Sequence, residues 1–331
     1  DPENIDYNII KEAADIINRG GIVVFPTETV YGIGADAFND EAVDKIFKAK
    51  GRPQDNPLIV HIAEFNELYD LALEVPEKAE LLAEKFWPGP LTMILYKKKI
   101  LSDKITAGLN TAAIRLPVNK IALALIKESK KPIAAPSANR SGRPSPTLAK
   151  YCREDLDGRV EMIIDGGQVA IGVESSIIDL TEERPVILRP GYITEEMFDN
   201  VLGNVDIDRT IIAPDSKIKP KAPGMKYRHY APKGDLKIVA GPQGKVVDYI
   251  NKAVAEASEK GEKTGIICTD ETRALYRADS IKSAGTRTDE ESIAKELFRV
   301  LREFDDEQVT VMYSESFDKS GICMAVMNRL M

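Results

Sequence analysis

Ile22-Val23-Val24-Phe25-Pro26-Thr27-Glu28-Thr29-Val30-Tyr31-Gly32-Ile33-Gly34 runs from a short apolar strand into a polar segment punctuated by glycine. Pro26 ends the strand, because it has no N–H to give a neighbouring strand. Two threonine hydroxyls at a strand end can hold a small polar ligand, and Gly32 and Gly34 let backbone approach it. The plainer reading, a tight loop with capping threonines, stays open on spacing alone. With Ala37 the run also fits G-x-G-x-x-A. As a dinucleotide fingerprint this is weak, since a polar stretch separates the glycines from the strand.

Outward from this stretch, helix and strand signals alternate. Asn8–Asn18 places Ile9, Ile10, Ala13, Ile16 and Ile17 at helical spacing and stops at Gly20-Gly21. Asp40 is read as the cap of a helix that carries Val43, Ile46 and Phe47 and stops at Gly51. Helices are expected near Glu64–Leu73 and Pro76–Phe86. Strands are expected at Leu58–Ile62, Leu91–Tyr96, Ala112–Arg115, Ile133–Ala135, Met162–Asp165, Ser175–Leu180 and Pro185–Arg189. The order is not strictly βαβ, so the expected fold is α/β with a mixed sheet. From Asp206 to Gly234 prolines break any period. Within it, residues 216–233 hold six basic side chains and no acidic one. Beyond it, Leu236–Ala240, Gly265–Cys268 and Val309–Tyr313 read as strands and Lys245–Lys260 and Glu290–Glu303 as helices, followed by the apolar segment Ile322–Leu330. That alternation is the pattern of a small parallel α/β domain. The expected organisation is residues 1–205 as one domain, 206–234 as a basic, proline-rich linker and 235–331 as a second domain.

Composition sets outer bounds. The chain has 331 residues and 36.5 kDa, which favours two domains over one. Hydrophobic residues are 43% and charged residues 30%, the balance of a soluble globular protein rather than a disordered or fibrous one. No apolar run reaches the roughly 18 residues of a membrane span, and no basic-then-apolar leader is visible, so a cytoplasmic protein is expected. The net charge of −8 argues against a protein that coats nucleic acid by charge. Three scattered cysteines and two histidines exclude a disulfide framework, a zinc knuckle and most histidine-based metal chemistry. Any chemistry must run on Lys, Arg, Ser, Thr and backbone groups.

Two further stretches carry such groups. Lys50-Gly51-Arg52-Pro53 with Asn56 sets two cations around a glycine, a point charge and a bidentate fork that suit a phosphate. Lys50 can equally serve a helix C-terminus; Arg52 has no evident structural duty. Residues 136–147, PSANRSGRPSPT, follow an apolar strand and crowd hydroxyls, an amide and two arginines into one loop, an anion cradle without a Walker lysine. His61 in a strand reads first as a structural histidine. Thr111, Arg115, Ser175 and Arg189 are isolated, and a strand-end arginine is ordinarily solvated. No G-x-x-x-x-G-K-[ST] or G-x-S-x-G occurs.

Taken in order, PTETVYG (26–32), KGRPQDNPL (50–58), PSANRSGRPSPT (136–147), GVESSIID (172–179), LRPG (188–191) and KAPGMKYRHYAP (221–232) resemble the YrdC-like threonylcarbamoyl-adenylate synthases in their long two-domain form. The resemblance implies a twisted mixed sheet with helices around a basic concave cleft, then a small Rossmann-like domain. It implies a reaction of L-threonine, bicarbonate and ATP that yields threonylcarbamoyl-AMP and pyrophosphate. A separate transferase would then modify tRNA, so direct tRNA binding is not required. By motif position, Thr29, His61, Arg115, Ala135 and Ser175 would contact threonine. Arg52, Asn56, Thr111, Ser137, Ser145, Arg189 and Tyr230 would contact ATP, and Lys50 and Arg52 would be catalytic. Mg²⁺ is expected with the ATP, no protein metal ligands are expected, and no redox cofactor is. The linker, with Tyr227 and Tyr230 beside His229, would close over the nucleotide as a lid. Two other classes remain: a module that binds RNA in a basic cleft, and a nucleotide-dependent oxidoreductase.

Overall fold

A computed structural model describes residues 2–208, 211 and 231–331. Tyr230, Tyr227, His229 and the core of the expected lid lie outside the described residues. Contacts divide the chain into two units, one built from residues up to 208 and residue 211, without 142–144 and 171–173, and the other from those two short segments and residues 231–331.

The first unit contains, in chain order, α1 (Tyr7–Asn18), β1 (Val23–Phe25), β2 (Gly32–Asp36), α2 (Asp40–Lys50), β3 (Ile59–His61), α3 (Glu67–Leu71), α4 (Glu77–Phe86), β4 (Leu91–Tyr96), β5 (Thr111–Arg115), α5 (Lys120–Ser129), β6 (Ile133–Ala135), α6 (Ala149–Leu156), β7 (Met162–Ile163), β8 (Ser176–Asp179), β9 (Val186–Arg189), α7 (Glu195–Leu202) and β10 (Asp206–Ile207). Its ten strands run in the order β10-β9-β8-β4-β5-β3-β6-β2-β1-β7. The sheet is mixed: β3 pairs parallel with β5 and antiparallel with β6, and β4 pairs antiparallel with β5 and parallel with β8.

Strand alternation sorts the core. Val24 and Ala134 point to the face covered by α2, whose Val43 and Ile46 are buried there. Val23, Phe25, Ile133 and Ala135 point to the other face, against Ile10, Ala13 and Ile17 of α1 and Ile121 and Leu125 of α5. Burying each such isoleucine or leucine contributes about 1.5–3 kcal/mol. Farther along that face, Ile59, Ala113, Ile94, Ile177 and Leu188 form a separate apolar patch. His61, Thr92, Arg115 and Ser175 stand two residues along from Ile59, Ile94, Ala113 and Ile177, and Arg189 directly follows Leu188, where the β8–β9 register shifts.

The structure departs from the sequence reading at two places near the opening stretch. Gly32–Asp36, read as loop, is a strand that pairs antiparallel with β1, Val24 opposite Ile33. The glycines are needed there for packing: a Cβ on Gly34 would lie 2.5 Å from Ile133 Cγ2 and 2.6 Å from Phe25 Cε1. The G-x-G-x-x-A run is therefore no phosphate loop. The cap of α2 is Asn39, not Asp40. With extended backbone one residue earlier, the Asn39 side chain accepts from Glu41 N and Ala42 N, each at 3.1 Å, and Asp40 occupies the first turn. Gly51 closes α2 in the left-handed region at φ +62°, as expected.

The second unit contains β11 (Asp235–Val239), α8 (Gln243–Glu259), β12 (Thr264–Cys268), β13 (Ser280–Ser283), α9 (Glu290–Asp306), β14 (Val311–Glu315) and α10 (Cys323–Leu330). Its four strands are all parallel, in the order β11-β14-β12-β13, the expected Rossmann-like arrangement. β13 was not anticipated; its sequence, Ser-Ile-Lys-Ser, is a polar edge strand with little apolar signal. Arg302 on α9 is the largest of the fully buried side chains among the described residues, and its Nε and a terminal nitrogen both donate to the carbonyl of Pro144 within this unit.

Candidate active site

Three strands set the first row of side chains. In register, Arg115 at the end of β5 lies beside His61 of β3 and opposite Thr92 of β4. Ser175, just before β8, meets Thr92 hydroxyl to hydroxyl at 2.8 Å. Arg189, at the end of β9, donates from Nε to the Ser175 carbonyl at 2.9 Å and from NH2 to Ser175 Oγ at 3.0 Å. Five residues distant in sequence, His61, Thr92, Arg115, Ser175 and Arg189, are thus joined by sheet register and hydrogen bonds.

The two strand-end arginines are not solvated. Arg115 is 4% exposed and Arg189 is 7% exposed. A buried guanidinium needs a counter-charge or several acceptors. For Arg115 the counter-charge is Glu28, which forms a buried ion pair with its NH2. Arg115 NH1 donates to Thr29 Oγ1 at 3.0 Å. Glu28 sits in the turn between β1 and β2, within the opening stretch, and sequence reasoning passed over it.

His61 is buried against the edge of Phe25, ring centroids 6.3 Å apart, with Nδ1 3.2 Å from the Ile59 carbonyl. Burial, reinforced by the Arg115 charge, pushes the His61 pKa down to about 3, so the ring is neutral near pH 7. Neutral imidazole offers a hydrogen bond without charge.

The second group of residues is tied to the first by backbone. Ala138 N donates to Tyr31 O at 2.8 Å, Ile33 N to Pro136 O at 3.0 Å and Tyr31 N to Pro146 O at 2.9 Å. The 136–147 loop is therefore hung on the turn that carries Glu28 and Thr29. Lys50, the last residue of α2, reaches beneath this loop. It is 2% exposed, and its Nζ donates to the carbonyls of Ser137 and Asn139. Ser141 N returns a bond to Lys50 O at 3.0 Å. Lys50 thus organises the loop. Ser137 Oγ donates to Asn139 Oδ1 at 2.5 Å, and fully buried Ser145 donates to Glu174 Oε1 at 2.5 Å.

Arg52 has a structural duty that its sequence position did not show. It donates from Nε to Asn56 O at 3.3 Å and from NH2 to Pro57 O at 2.9 Å, folding its own loop around itself. Asn56 is 1% exposed, and its Oδ1 has no partner among the described residues. Ala135 ends β6 opposite Ile59. Thr111 begins β5, four residues from Arg115 on the same face, about 13 Å along the strand. Among the described residues no group of three or more His, Cys, Asp or Glu could hold a metal ion. No described helix is long and apolar enough to cross a membrane.

Glu28, Thr92 and Glu174 are the residues that sequence reasoning left out. Each lies beside a residue it singled out, and each acquires its partner from a strand or loop distant in sequence. An acid between two threonines at the exit of a wholly apolar strand was the one available signal for Glu28.

Comparison with known proteins identifies the family. Residues 15–191 match the Sua5_yciO_yrdC family, described as Telomere recombination, and residues 193–331 match the threonylcarbamoyl-AMP synthase C-terminal domain family. A threonylcarbamoyl-AMP synthase of Pyrococcus abyssi is 49% identical over 99% of this chain and 94% of its own length. One of Bacillus subtilis is 48% identical over 97% of this chain and 92% of its own. The solved structure of P. abyssi Sua5 complexed with L-threonine superposes with a TM-score of 0.94 at 48% identity, covering 99% of this chain and 94% of that one. Two family matches in tandem and relatives aligned across both units leave one assignment: the chain belongs to the threonylcarbamoyl-AMP synthases in their two-domain form, a family of nucleotidyl-transferring enzymes.

Proposed function

We propose that this chain joins L-threonine, bicarbonate and ATP into threonylcarbamoyl-AMP, releasing pyrophosphate and water. The observation that carries the reading is the shared guanidinium of Arg189 on Ser175, which binds a residue assigned to ATP to one assigned to threonine. The threonine nitrogen would bond the bicarbonate carbon as water leaves. A carbamate oxygen would then attack the α-phosphorus, and the bond to pyrophosphate would break. No enzyme nucleophile is required. The protein must bring two anions together and balance the developing phosphate charge, which fixed cations and hydroxyls do at no reorganisation cost.

Within that reading, Thr29, His61, Arg115, Ala135 and Ser175 form the threonine side. Arg52, Asn56, Thr111, Ser137, Ser145 and Arg189 form the nucleotide side, with Tyr230 assigned there by motif. Mg²⁺ would arrive on the phosphates and neutralise part of their charge; the Glu174 carboxylate beside Ser145 is the buried oxygen donor that suits such a hard cation. The product would pass to a separate transferase acting on tRNA, and a cytoplasmic location follows from that role.

The deciding experiment is pyrophosphate release with each of ATP, L-threonine and bicarbonate omitted in turn. Release should require all three. Equal release without threonine would rule the assignment out.

A further inference from the structure

No helix of the second unit enters the reading above, yet α9 holds two short stretches of chain that lead straight into the nucleotide side. Gly142–Pro144 and Ile171–Val173 belong to the second unit. The residues that follow them in the chain are Ser145 and Glu174. Arg302 is 1% exposed and donates from Nε to the Pro144 carbonyl at 3.0 Å, with a second bond from NH2 to the same oxygen. Three residues on, Asp305 accepts from Lys233 N at 2.7 Å and lies 3.8 Å from an Arg143 nitrogen. About two turns before Arg302, Gly172 meets the helix backbone: a Cβ there would lie 2.4 Å from Lys295 Cα and 2.6 Å from Ala294 O. One helix thus grips both stretches.

The grip on Pro144 passes to Ser145 through covalent geometry. A peptide unit is planar, so the Pro144 oxygen and the Ser145 N and Cα lie in one plane. Two donors on that oxygen fix the tilt of the plane and so where Ser145 begins. Pro144 and Pro146 flank Ser145, and each ring locks its own φ, which leaves little slack. The two gripped stretches then meet: buried Ser145 donates from Oγ to Glu174 Oε1 at 2.5 Å. Ser175, next in the chain, is held separately, by the Thr92 hydroxyl and by Arg189.

We infer that Arg302 is a positioning residue for the nucleotide side, which sets the Pro144–Ser145 peptide and, through it, the Ser145–Glu174 pair. The inference rests on the proposed function, because that reading assigns Ser145 to ATP.

Initial rates of pyrophosphate release by the full chain test it, with ATP and L-threonine varied in turn. Arg302→Gln loses the fork, and KM for ATP should rise roughly tenfold, because a displaced binding group forfeits most of its contact. KM for L-threonine should stay within about twofold, since Ser175 has its own holds. Arg302→Lys keeps the charge and a single donor, so KM for ATP should rise less, roughly threefold. Should Arg302→Gln fail to fold, the lysine variant carries the test alone. A merely structural Arg302 would lower the melting temperature and the fraction of active molecules, which reduces kcat and leaves both KM values unchanged. That outcome, or an equal rise in both KM values, overturns the inference alone. Release by the wild-type chain that does not need L-threonine overturns the proposed function and the inference with it.

Discussion

Arg189 holds Ser175 at two points, carbonyl and hydroxyl, 2.9 and 3.0 Å away. Replacing it with lysine keeps the charge but loses the fork that spans both acceptors. Arg189→Lys should therefore raise KM for ATP and for threonine together, each by roughly tenfold, the scale of one charge-assisted hydrogen bond. Initial-rate measurements with each substrate varied against saturating partners check this. A change confined to ATP would show that Ser175 does not transmit the loss.

Gly34 is a packing glycine. The nearest atoms to its missing Cβ are Ile133 Cγ2 at 2.5 Å and Phe25 Cε1 at 2.6 Å, both in the core between the sheet and α1. Gly34→Ala should destabilise the first unit by about 1–3 kcal/mol, the usual cost of forcing extra volume into a filled core. Denaturant unfolding measures it. Gly51→Ala is strained for a different reason, its φ of +62°.

His61 links stability to pH with a definite sign. Its folded pKa of about 3 lies below the unfolded 6.5, so between these values the unfolded chain binds the extra proton. Stability should rise with pH across that window, by at most about 1.4 kcal/mol per unit from this group, and its contribution should be constant above about pH 7. His61→Gln should flatten that part of the profile. Urea unfolding of both proteins between pH 4 and 7 is the measurement, and parallel slopes would remove His61 as the cause.

How far the sequence could be read follows from where each signal resides. Leu91–Tyr96 and Ile133–Ala135 are strands with the boundaries expected from their apolar runs, because those residues are buried along most of their length. β2 escaped because Gly-Ile-Gly-Ala-Asp carries neither alternation nor β-branched density; what makes it a strand is contact with Phe25 and Ile133. α5 and α7 passed unread, although Asn119 and Thr194 cap them as their side chains allow. For the site, motif residues such as Thr29 and Arg115 were visible, but the burial of Arg115 was not. It depends on Glu28, 87 residues away, and on the β5 register that faces it toward Thr92. Pairing of that kind is a property of the sheet, and no local window contains it.

Lys50 and Arg52 stand two residues apart and should behave differently. Lys50 is 2% exposed and bonds two carbonyls of the 136–147 loop from below. Lys50→Met would leave those carbonyls without their cation and remove a buried charge that had partners, a loss of several kcal/mol in comparable sites. Amide exchange should accelerate across 137–141 and the melting temperature should fall, along with turnover. Arg52 is half-buried and bonds the carbonyls of Asn56 and Pro57 in its own loop. Arg52→Ala should cost less stability, about 1–3 kcal/mol for the hydrogen bonds. If its guanidinium turns to the phosphates in the reaction, turnover should drop by roughly 10²–10³, the scale of losing one preorganised donor to a transition state. Measuring melting temperature, exchange and turnover on both variants separates the roles. Fast exchange at 137–141 in the Arg52 variant, or none in the Lys50 variant, would mean that the two cations have been assigned the wrong way round.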